Sequence, residues 1–315
     1  MPGLTLGVAL WSQSSDWPRF LAAAQLVDRL GYDHVWTWDH LYAIFGDEHQ
    51  SIFEGYTALA AVAQATERIR LGLFVGANTF RNPGLATKAI ITIDHISGGR
   101  AVMGIGGAWF EREHTAYGID FGSGFGQRLD WLGEAVPAMR TLLDGGTVTS
   151  AGGTYAFDGL RMTPGPVQAH LPIMIGGSGE KKTLPIVARY ADIWNAFGSP
   201  ETLKRKDEIL RGYCADAGTD PEAITRSVGC KVTVRGTEAE AHAALKGILA
   251  TNGLTPADVA DDHTFWTGTP EMIAETMLSY RHVGFHDFIV ECPAPYDAET
   301  LAAIINEVKP MVEAG

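Results

Sequence analysis

Short apolar runs alternate with amphipathic segments along the chain. Leu4–Leu10 is largely apolar, and residues 17–30 carry apolar side chains at helical spacing up to Gly31, so together they predict a strand followed by a helix. The same pair recurs until a last predicted strand at Phe285–Glu291. Eight strands alternating with helices in one continuous chain predict an α/β fold, a single (β/α)8 TIM barrel over residues 1–315 with insertions in its βα loops.

Glycines, prolines and capping residues set the predicted boundaries of the elements. The eight strands are expected at residues 4–10, 34–38, 70–75, 101–105, 173–175, 192–195, 227–234 and 285–291. The helices are expected at residues 17–30, 55–66, 84–96, 128–143, 181–190, 200–217, 238–249 and from Pro270, with Thr269 as N-cap. A long connection, residues 144–171, holds short β-like pieces at 147–149 and 154–157, and connections of that length are uncommon without a functional use.

Residues 172–183 (PIMIGGSGEKKT) join a short buried strand to a glycine-rich turn, after which a helix is expected to begin at Glu180 or Lys181. Glycines allow a sharp turn with exposed backbone N–H groups, and a helix N-terminus adds unpaired donors and a positive dipole end. The stretch therefore predicts a phosphate-binding turn. The alternative is a plain strand-to-helix turn with nothing bound.

Ligands of such barrels bind where the strands end, so other strand ends are candidates too. His40 follows the second strand, and an imidazole with an ordinary pKa of about 6.5 can hold or give a proton near neutrality. Residues 71–83 end the third strand in small side chains, which would let a flat ring approach the backbone. The alternatives are a satisfied loop histidine and a simple strand-to-loop transition.

Residues 104–114 (GIGGAWFEREH) begin like a dinucleotide-binding fingerprint. They depart from it because Trp109 stands where the pattern requires glycine, and no short turn into a helix is expected. Trp109 and Phe110 are candidates for the wall of an aromatic cofactor pocket, or else pack within the loop.

Charge and composition narrow the classes of partner and location. The formal net charge of −13 comes without a cluster of Lys and Arg, which argues against a nucleic-acid partner. The N-terminal segment lacks a basic region followed by an apolar run, and no stretch of about 18 apolar residues occurs, so export and membrane spanning are not expected. A cytoplasmic location is the resulting prediction.

The sequence contains no motif typical of a metal site or of a catalytic Ser or Cys nucleophile. The histidines form neither an HxH pair on a strand nor an HExxH motif, so no metal site is expected. Cys214, Cys230 and Cys292 are far apart without CxxC spacing, and no GxSxG motif is present. The cysteines are expected to be buried apolar residues.

Several of these stretches together resemble the luciferase-like monooxygenase superfamily of flavin and deazaflavin oxidoreductases. The resemblance extends over nearly the whole chain, in residues 38–40, 70–72, 80–83, 85–88, 93–100, 104–109, 172–179 and 188–192. Residues 107–114 and 177–183 are most similar to members that are probable users of the deazaflavin coenzyme F420.

The resemblance implies a cofactor site at the mouth of the barrel. A non-prolyl cis peptide at Phe74–Val75 would form a bulge behind the cofactor ring, Gly107 to Trp109 would flank the ring, and Gly176 to Gly179 would bind the phosphate. His40 is the expected proton donor and only catalytic candidate. The implied cofactor-binding residues are Asp39, His40, Phe74, Val75, Gly76, Ala77, Gly107, Ala108, Trp109, Ile175, Gly176, Gly177, Ser178 and Gly179.

The implied function is hydride transfer between coenzyme F420 and a small organic substrate, which the residues do not identify. The alternatives are an FMN-dependent monooxygenase and a non-catalytic flavin-binding barrel. Sugar-phosphate dehydrogenases of the superfamily carry Glu where this chain has Trp109, so a sugar phosphate is not expected. The resemblance also implies a homodimer and a mobile insertion at the active-site mouth, either residues 144–171 or the loop after the fourth strand.

Overall fold

Eight parallel strands close into a barrel in the computed structural model, which describes residues 3–315. The strands of the chain are β1 (Thr5–Leu10), β2 (His34–Thr37), β3 (Arg70–Leu73), β4 (Gly76–Ala77), β5 (Ala101–Gly106), β6 (Thr147–Ser150), β7 (Phe157–Arg161), β8 (Ile173–Gly176), β9 (Ile193–Ala196), β10 (Thr225–Val234), β11 (Phe265–Gly268) and β12 (Asp287–Cys292). Around the barrel the order is β1, β2, β3 with β4, β5, β8, β9, β10 and β12, and β12 pairs with β1. The predicted (β/α)8 class is confirmed; residues 1 and 2 lie outside the described range.

Helices follow the strands and cover the outside of the barrel. They are α1 (Trp17–Leu30), α2 (Gly55–Ala65), α3 (Pro83–Ser97), α4 (Glu111–Tyr117), α5 (Phe125–Leu143), α6 (Thr183–Tyr190), α7 (Pro200–Ala217), α8 (Glu238–Thr251), α9 (Pro270–Arg281), α10 (Ala298–Ala303) and α11 (Lys309–Ala314). The predicted α1 is confirmed to the residue, because Asp16 accepts the N–H of Arg19 at 2.9 Å and Gly31 closes the helix with φ of +94°. Within residues 3–315, no helix is both long and apolar enough to cross a membrane.

Two apolar cores result from the alternation of side chains along the strands. The larger core lies between strands and helices, and a small one fills the barrel interior with Ala9, Trp36, Val102, Met174 and Ile289. Gly72 leaves room for the Trp36 ring, since a Cβ at that position would lie only 2.4 Å from the ring. A filled interior leaves the ends of the strands as the place where a ligand can bind.

Several predicted boundaries are wrong, each for a local reason. The helix after the glycine-rich turn begins at Thr183 rather than at Glu180 or Lys181, since residues 180–182 form a turn and Gly179 O accepts from Thr183 N at 2.9 Å. The β-like piece expected at 154–157 lies at Phe157–Arg161, where it pairs with β6 in an antiparallel hairpin. The start of α9 is as predicted, with Thr269 at the N-cap and Pro270 first in the helix, although the Thr269 hydroxyl donates to Glu271 at 2.6 Å instead of accepting from the backbone.

Helices α10 and α11 after the last strand were not predicted, and neither were two elements near the ligand-binding end of the barrel. Helix α4 follows the glycine-rich end of β5, where no short turn into a helix was expected; it has seven residues with few apolar positions. Strand β11 pairs with the outer half of β10, which at ten residues extends beyond its barrel neighbours. Both elements border the open end of the barrel.

Candidate active site

A cleft of about 540 Å³ opens at the C-terminal ends of the barrel strands. It is lined by most of the predicted cofactor-binding residues, namely Asp39, His40, Phe74, Val75, Gly76, Ala77, Gly107, Ala108, Trp109, Gly176 and Gly177. The other three predicted residues lie apart from it: Ile175 is buried in the strand below, and Ser178 and Gly179 lie farther along the turn. The structure therefore brings together strand ends that are far apart in sequence.

One wall of the cleft is the bulge between β3 and β4. The Phe74–Val75 peptide bond is cis, as the resemblance implies. The Val75 side chain lies so close to the ends of β5 and β8 that a Cβ at Gly106 or Gly176 would be 2.8 Å from its Cγ2 atom. Glycines at these two positions therefore leave room for the Val75 side chain at the bulge.

The Asp39 carboxylate anchors this bulge. It accepts the N–H of Ala77 at 2.9 Å and two bonds from the Arg81 guanidinium, at 2.7 and 3.0 Å. Arg81 also pairs with Glu54. Burial raises the pKa of the Asp39 carboxyl, while Arg81 opposes the rise. Asp39 thus borders the cleft, as predicted, with its carboxylate occupied by the protein itself.

His40 lies on the adjacent wall, held by a carboxylate. Its Nδ1 atom is 2.9 Å from Glu113 Oε1, and Glu113 Oε2 accepts the backbone N–H groups of Leu41 at 2.8 Å and Tyr42 at 3.4 Å. Glu113 is 1% exposed. Since an ionised carboxylate only accepts hydrogen bonds, Nδ1 carries the hydrogen and Nε2 is the nitrogen left for a ligand. The rings of Trp38 and Trp109 lie edge-on to the imidazole.

Glu113 was not predicted as a site residue, although it lies in the segment 104–114 that begins at the end of the predicted fourth strand. It reaches His40 because α4 places its first turn beside the loop after β2. Sequence spacing gives no signal for this contact. Only the tertiary structure brings this carboxylate, 73 positions away in the chain, to the imidazole.

The loop after β5 is fixed by His114. Nδ1–H of His114 donates to Phe110 O at 2.8 Å, and Nε2 accepts from the Thr79 hydroxyl at 2.6 Å. Burial lowers the pKa of His114, which keeps the ring neutral. At the outer edge, Trp109 is 60% exposed and Phe125 is also exposed beside the cleft.

One insertion was expected at the mouth, with two alternative locations, and of these the loop after β5 borders the cleft. None of the described lining residues comes from residues 144–171. That segment packs instead on α3, where Lys88 donates to Thr163 O at 2.6 Å and Asp94 accepts the N–H of Val167 at 2.8 Å. Of the two alternatives for the insertion, the structure therefore favours the loop after β5, because residues 144–171 connect α5 to the start of β8.

The glycine-rich turn after β8 has fewer available donors than predicted. The Gly177 N–H already donates to Asn195 O at 3.0 Å, and Gly177 has φ of +121°, which favours glycine. Lys206 Nζ donates to Ser178 O at 2.8 Å. The Gly177 amide is therefore not available to an anion at this turn, whereas the amides of Ser178 and Gly179 and the nearby Lys206 ammonium are candidates to bind one.

A polar cluster that sequence reasoning missed lies on the far wall. Lys231 Nζ is 2.9 Å from Thr264 Oγ1, 3.2 Å from Glu291 Oε1 and 3.7 Å from Asp262 Oδ2, and all four residues line the cleft. Lys231 and Glu291 stand on the predicted seventh and eighth strands. Charged residues on those strands were the available signal. Among residues 3–315, no group of three or more His, Cys, Asp or Glu side chains is arranged to hold a metal ion.

The family model described as luciferase-like monooxygenase matches residues 5–263. The chain is 27% identical over 240 residues to an F420-dependent hydroxymycolic acid dehydrogenase of Mycobacterium tuberculosis (strain ATCC 25618 / H37Rv), covering 76% of this chain and 65% of that protein. It is 26% identical over 228 residues to an FMNH2-dependent dimethylsulfone monooxygenase of Pseudomonas putida, covering 72% and 61%. The chain thus spans less than two thirds of the length of these curated relatives.

Among solved structures, an F420-dependent secondary alcohol dehydrogenase in complex with an F420–acetone adduct superposes with a TM-score of 0.83. The sequence identity is 18%, and the alignment covers 99% of each chain. At this identity the similarity shows the fold alone.

Proposed function

The chain belongs to the luciferase-like monooxygenase family, and from that membership and the geometry of the cleft we propose that it is an F420-dependent oxidoreductase acting on a small organic molecule. Relatives in the family are oxidoreductases or monooxygenases that use F420 or FMN. The observation that carries the proposal is the pairing of the Val75 bulge, edged by Gly106 and Gly176, with an oriented imidazole at His40. An FMN-dependent monooxygenase is the second candidate, supported by the dimethylsulfone monooxygenase similarity.

The residues present fit a tricyclic cofactor. The cleft volume lies within the roughly 300–1,000 Å³ usual for small-molecule sites. Gly76, Ala77, Gly106 and Gly176 form a surface without bulky side chains along three neighbouring strand ends, which a planar ring would contact closely. The turn at Ser178 and Gly179 would bind the phosphate. When bound, the cofactor would supply the ring that gives or accepts a hydride.

His40 would hold the proton that accompanies hydride transfer. Its Nδ1–H is engaged with Glu113, so the proton would be given or taken at Nε2. Glu113 fixes both the tautomer and the orientation of the ring, while Leu41 N–H and Tyr42 N–H fix Glu113. Phe45, Phe74 and Phe197 would keep water from the reacting atoms.

Cofactor titration separates the two candidates. A deazaflavin has carbon in place of a ring nitrogen that reduced flavins need for their reaction with oxygen. We expect the purified chain to bind F420 more tightly than FMN and, when given reduced F420, to consume no oxygen. Retention of yellow FMN through purification, or far tighter binding of FMN, would refute the F420 proposal and favour the monooxygenase.

A non-catalytic flavin-binding barrel is the third candidate. It would need a pocket closed over the ring, whereas this cleft has a second, polar wall across from the bulge. That wall supports a substrate site. The homodimer and the cytoplasmic location stay predictions, and light scattering of the purified chain tests the first.

A further inference from the structure

The polar cluster of Lys231, Asp262, Thr264 and Glu291 lies opposite the bulge. Counting around the eight barrel strands from β1, β3 with β4 is third and β10 is seventh, and strands four apart face each other across the axis. The Phe74 ring spans the floor between them, since a Cβ at Gly229 of β10 would lie 3.1 Å from its Cζ atom. A cofactor ring resting on the bulge would therefore expose its other face toward Lys231.

The cluster is rigid and has hydrogen-bonding capacity left over. Glu291 Oε2 accepts Trp11 Nε1–H at 3.0 Å, which fixes that carboxylate, and each of its oxygens can accept one more bond. Lys231 uses two of its three donors on Thr264 and Glu291. Its third neighbour, Asp262 Oδ2, is 3.7 Å away, which is longer than a hydrogen bond, so one N–H remains for a ligand oxygen.

The cluster has an excess of negative charge. Burial lowers the pKa of Lys231, but the neighbouring Glu291 and Asp262 carboxylates raise it above its ordinary value. Burial favours a higher pKa for Asp262, but hydrogen bonds from Thr264 lower it. One cation beside two carboxylates gives a net charge of about −1. A carboxylate or phosphate on a substrate would be repelled here, whereas a hydroxyl group can accept from Lys231 and donate to Glu291.

Resting on the proposed function, we infer that this cluster is the subsite for the substrate's polar end, and that the substrate is an uncharged molecule carrying a hydroxyl group away from its reacting carbon. The Phe197 ring lines the cleft with its centroid 5.7 Å from Lys231 Nζ and gives the subsite an apolar side, while the Phe265 ring, with its centroid 4.9 Å from Nζ, packs on the ammonium group outside the cleft lining. The body of the substrate would lie between the Phe197 ring and the cofactor.

The test uses four acetophenones that differ only in the para substituent: hydroxymethyl, methyl, aminomethyl and carboxylate. Their affinities for the full chain are measured by tryptophan fluorescence, with and without F420. We expect the hydroxymethyl compound to bind about tenfold more tightly than the methyl and carboxylate compounds, the effect of one charge-assisted hydrogen bond. Equal binding of the four, no binding of the hydroxymethyl compound, or tightest binding of the aminomethyl compound would overturn the inference.

Variants locate the effect. Glu291→Gln keeps an acceptor for Trp11 and should raise the affinity for the carboxylate compound about tenfold. The double variant Lys231→Met with Glu291→Gln removes both charges together and should abolish the hydroxymethyl preference, whereas Glu275→Gln, on the exposed face of α9, should change neither. Unaltered discrimination in the folded double variant would refute the subsite.

F420 affinity is measured separately for every variant. If F420 fails to bind the wild-type chain, the proposed function fails. If F420 binds and the four compounds are not distinguished, only the subsite fails.

Discussion

Replacing Glu113 by Gln tests whether that carboxylate positions the imidazole of His40. The carboxylate accepts from three donors, the His40 ring and the N–H groups of Leu41 and Tyr42, and is almost completely buried. An amide has one acceptor oxygen, so its NH2 group must face either the backbone donors or Nδ1. The favourable arrangement keeps the backbone bonds and turns His40 into the other tautomer, with the hydrogen on Nε2.

The size of the effect follows from the bond that is lost. A hydrogen bond to a charged group contributes about 1.5–3 kcal/mol, which corresponds to a roughly ten- to hundredfold change in rate. We expect Glu113→Gln to lower kcat by that factor and to leave F420 affinity within about threefold, since Glu113 binds His40 rather than the Val75 bulge. His40→Ala should lower kcat by about 10²–10⁴-fold, the usual contribution of a general acid or base.

Two measurements make the reasoning refutable. Nitrogen NMR of the imidazoles, with His40 assigned by its loss in His40→Ala, should show hydrogen on Nδ1 in the wild type and on Nε2 in Glu113→Gln. In the His40→Ala background, Glu113→Gln should have no further effect on kcat, because both changes remove the same interaction. An unchanged tautomer, or additive losses in the double variant, would refute positioning through His40. Glu111→Gln, exposed on the same helix, is the control.

Three further predictions concern stability. The pKa of His114 is lowered in the folded chain, so the unfolded chain binds a proton there more readily than the folded chain does. The contribution of His114 to folding stability is therefore present above about pH 6.5 and is lost as the pH falls below that value. The wild-type Tm should fall more between pH 7 and 5 than the Tm of His114→Asn, and equal falls would contradict this prediction. Gly104→Ala would place a Cβ 1.9 Å from the Leu73 carbonyl oxygen and should lower the free energy of unfolding, measured by thermal unfolding, by at least about 1–3 kcal/mol. The control is Gly247→Ala, where an added Cβ would meet open space and should not destabilise the chain. Arg81→Met leaves the buried Asp39 carboxylate without its ion-pair partner and should lower the free energy of unfolding in urea by about 3–5 kcal/mol. A loss under about 1 kcal/mol would show that the Arg81–Asp39 pair is not needed for stability.

Local patterns in the sequence were sufficient for the barrel and for the strand ends that line the cleft. Apolar runs, helical periodicity and glycine positions depend on residues near one another in the chain, as in α1, whose two caps are visible in the sequence. The residues around Val75, Gly107 and Gly176 were expected at the cleft because parallel strands end on the same side of a barrel. The resemblance added the cis peptide, which the structure contains.

The tertiary structure alone decided which polar groups meet. His40 and Glu113 are 73 positions apart, and Lys231 meets Glu291 only because β10 and β12 are neighbours in the closed sheet. Helix α4, which supplies Glu113, is short and polar and has little periodic signal. Hydrophobic periodicity reports which face of an element is buried, but a charged side chain finds its partner through the closure of the barrel, and a single sequence carries no local record of that contact.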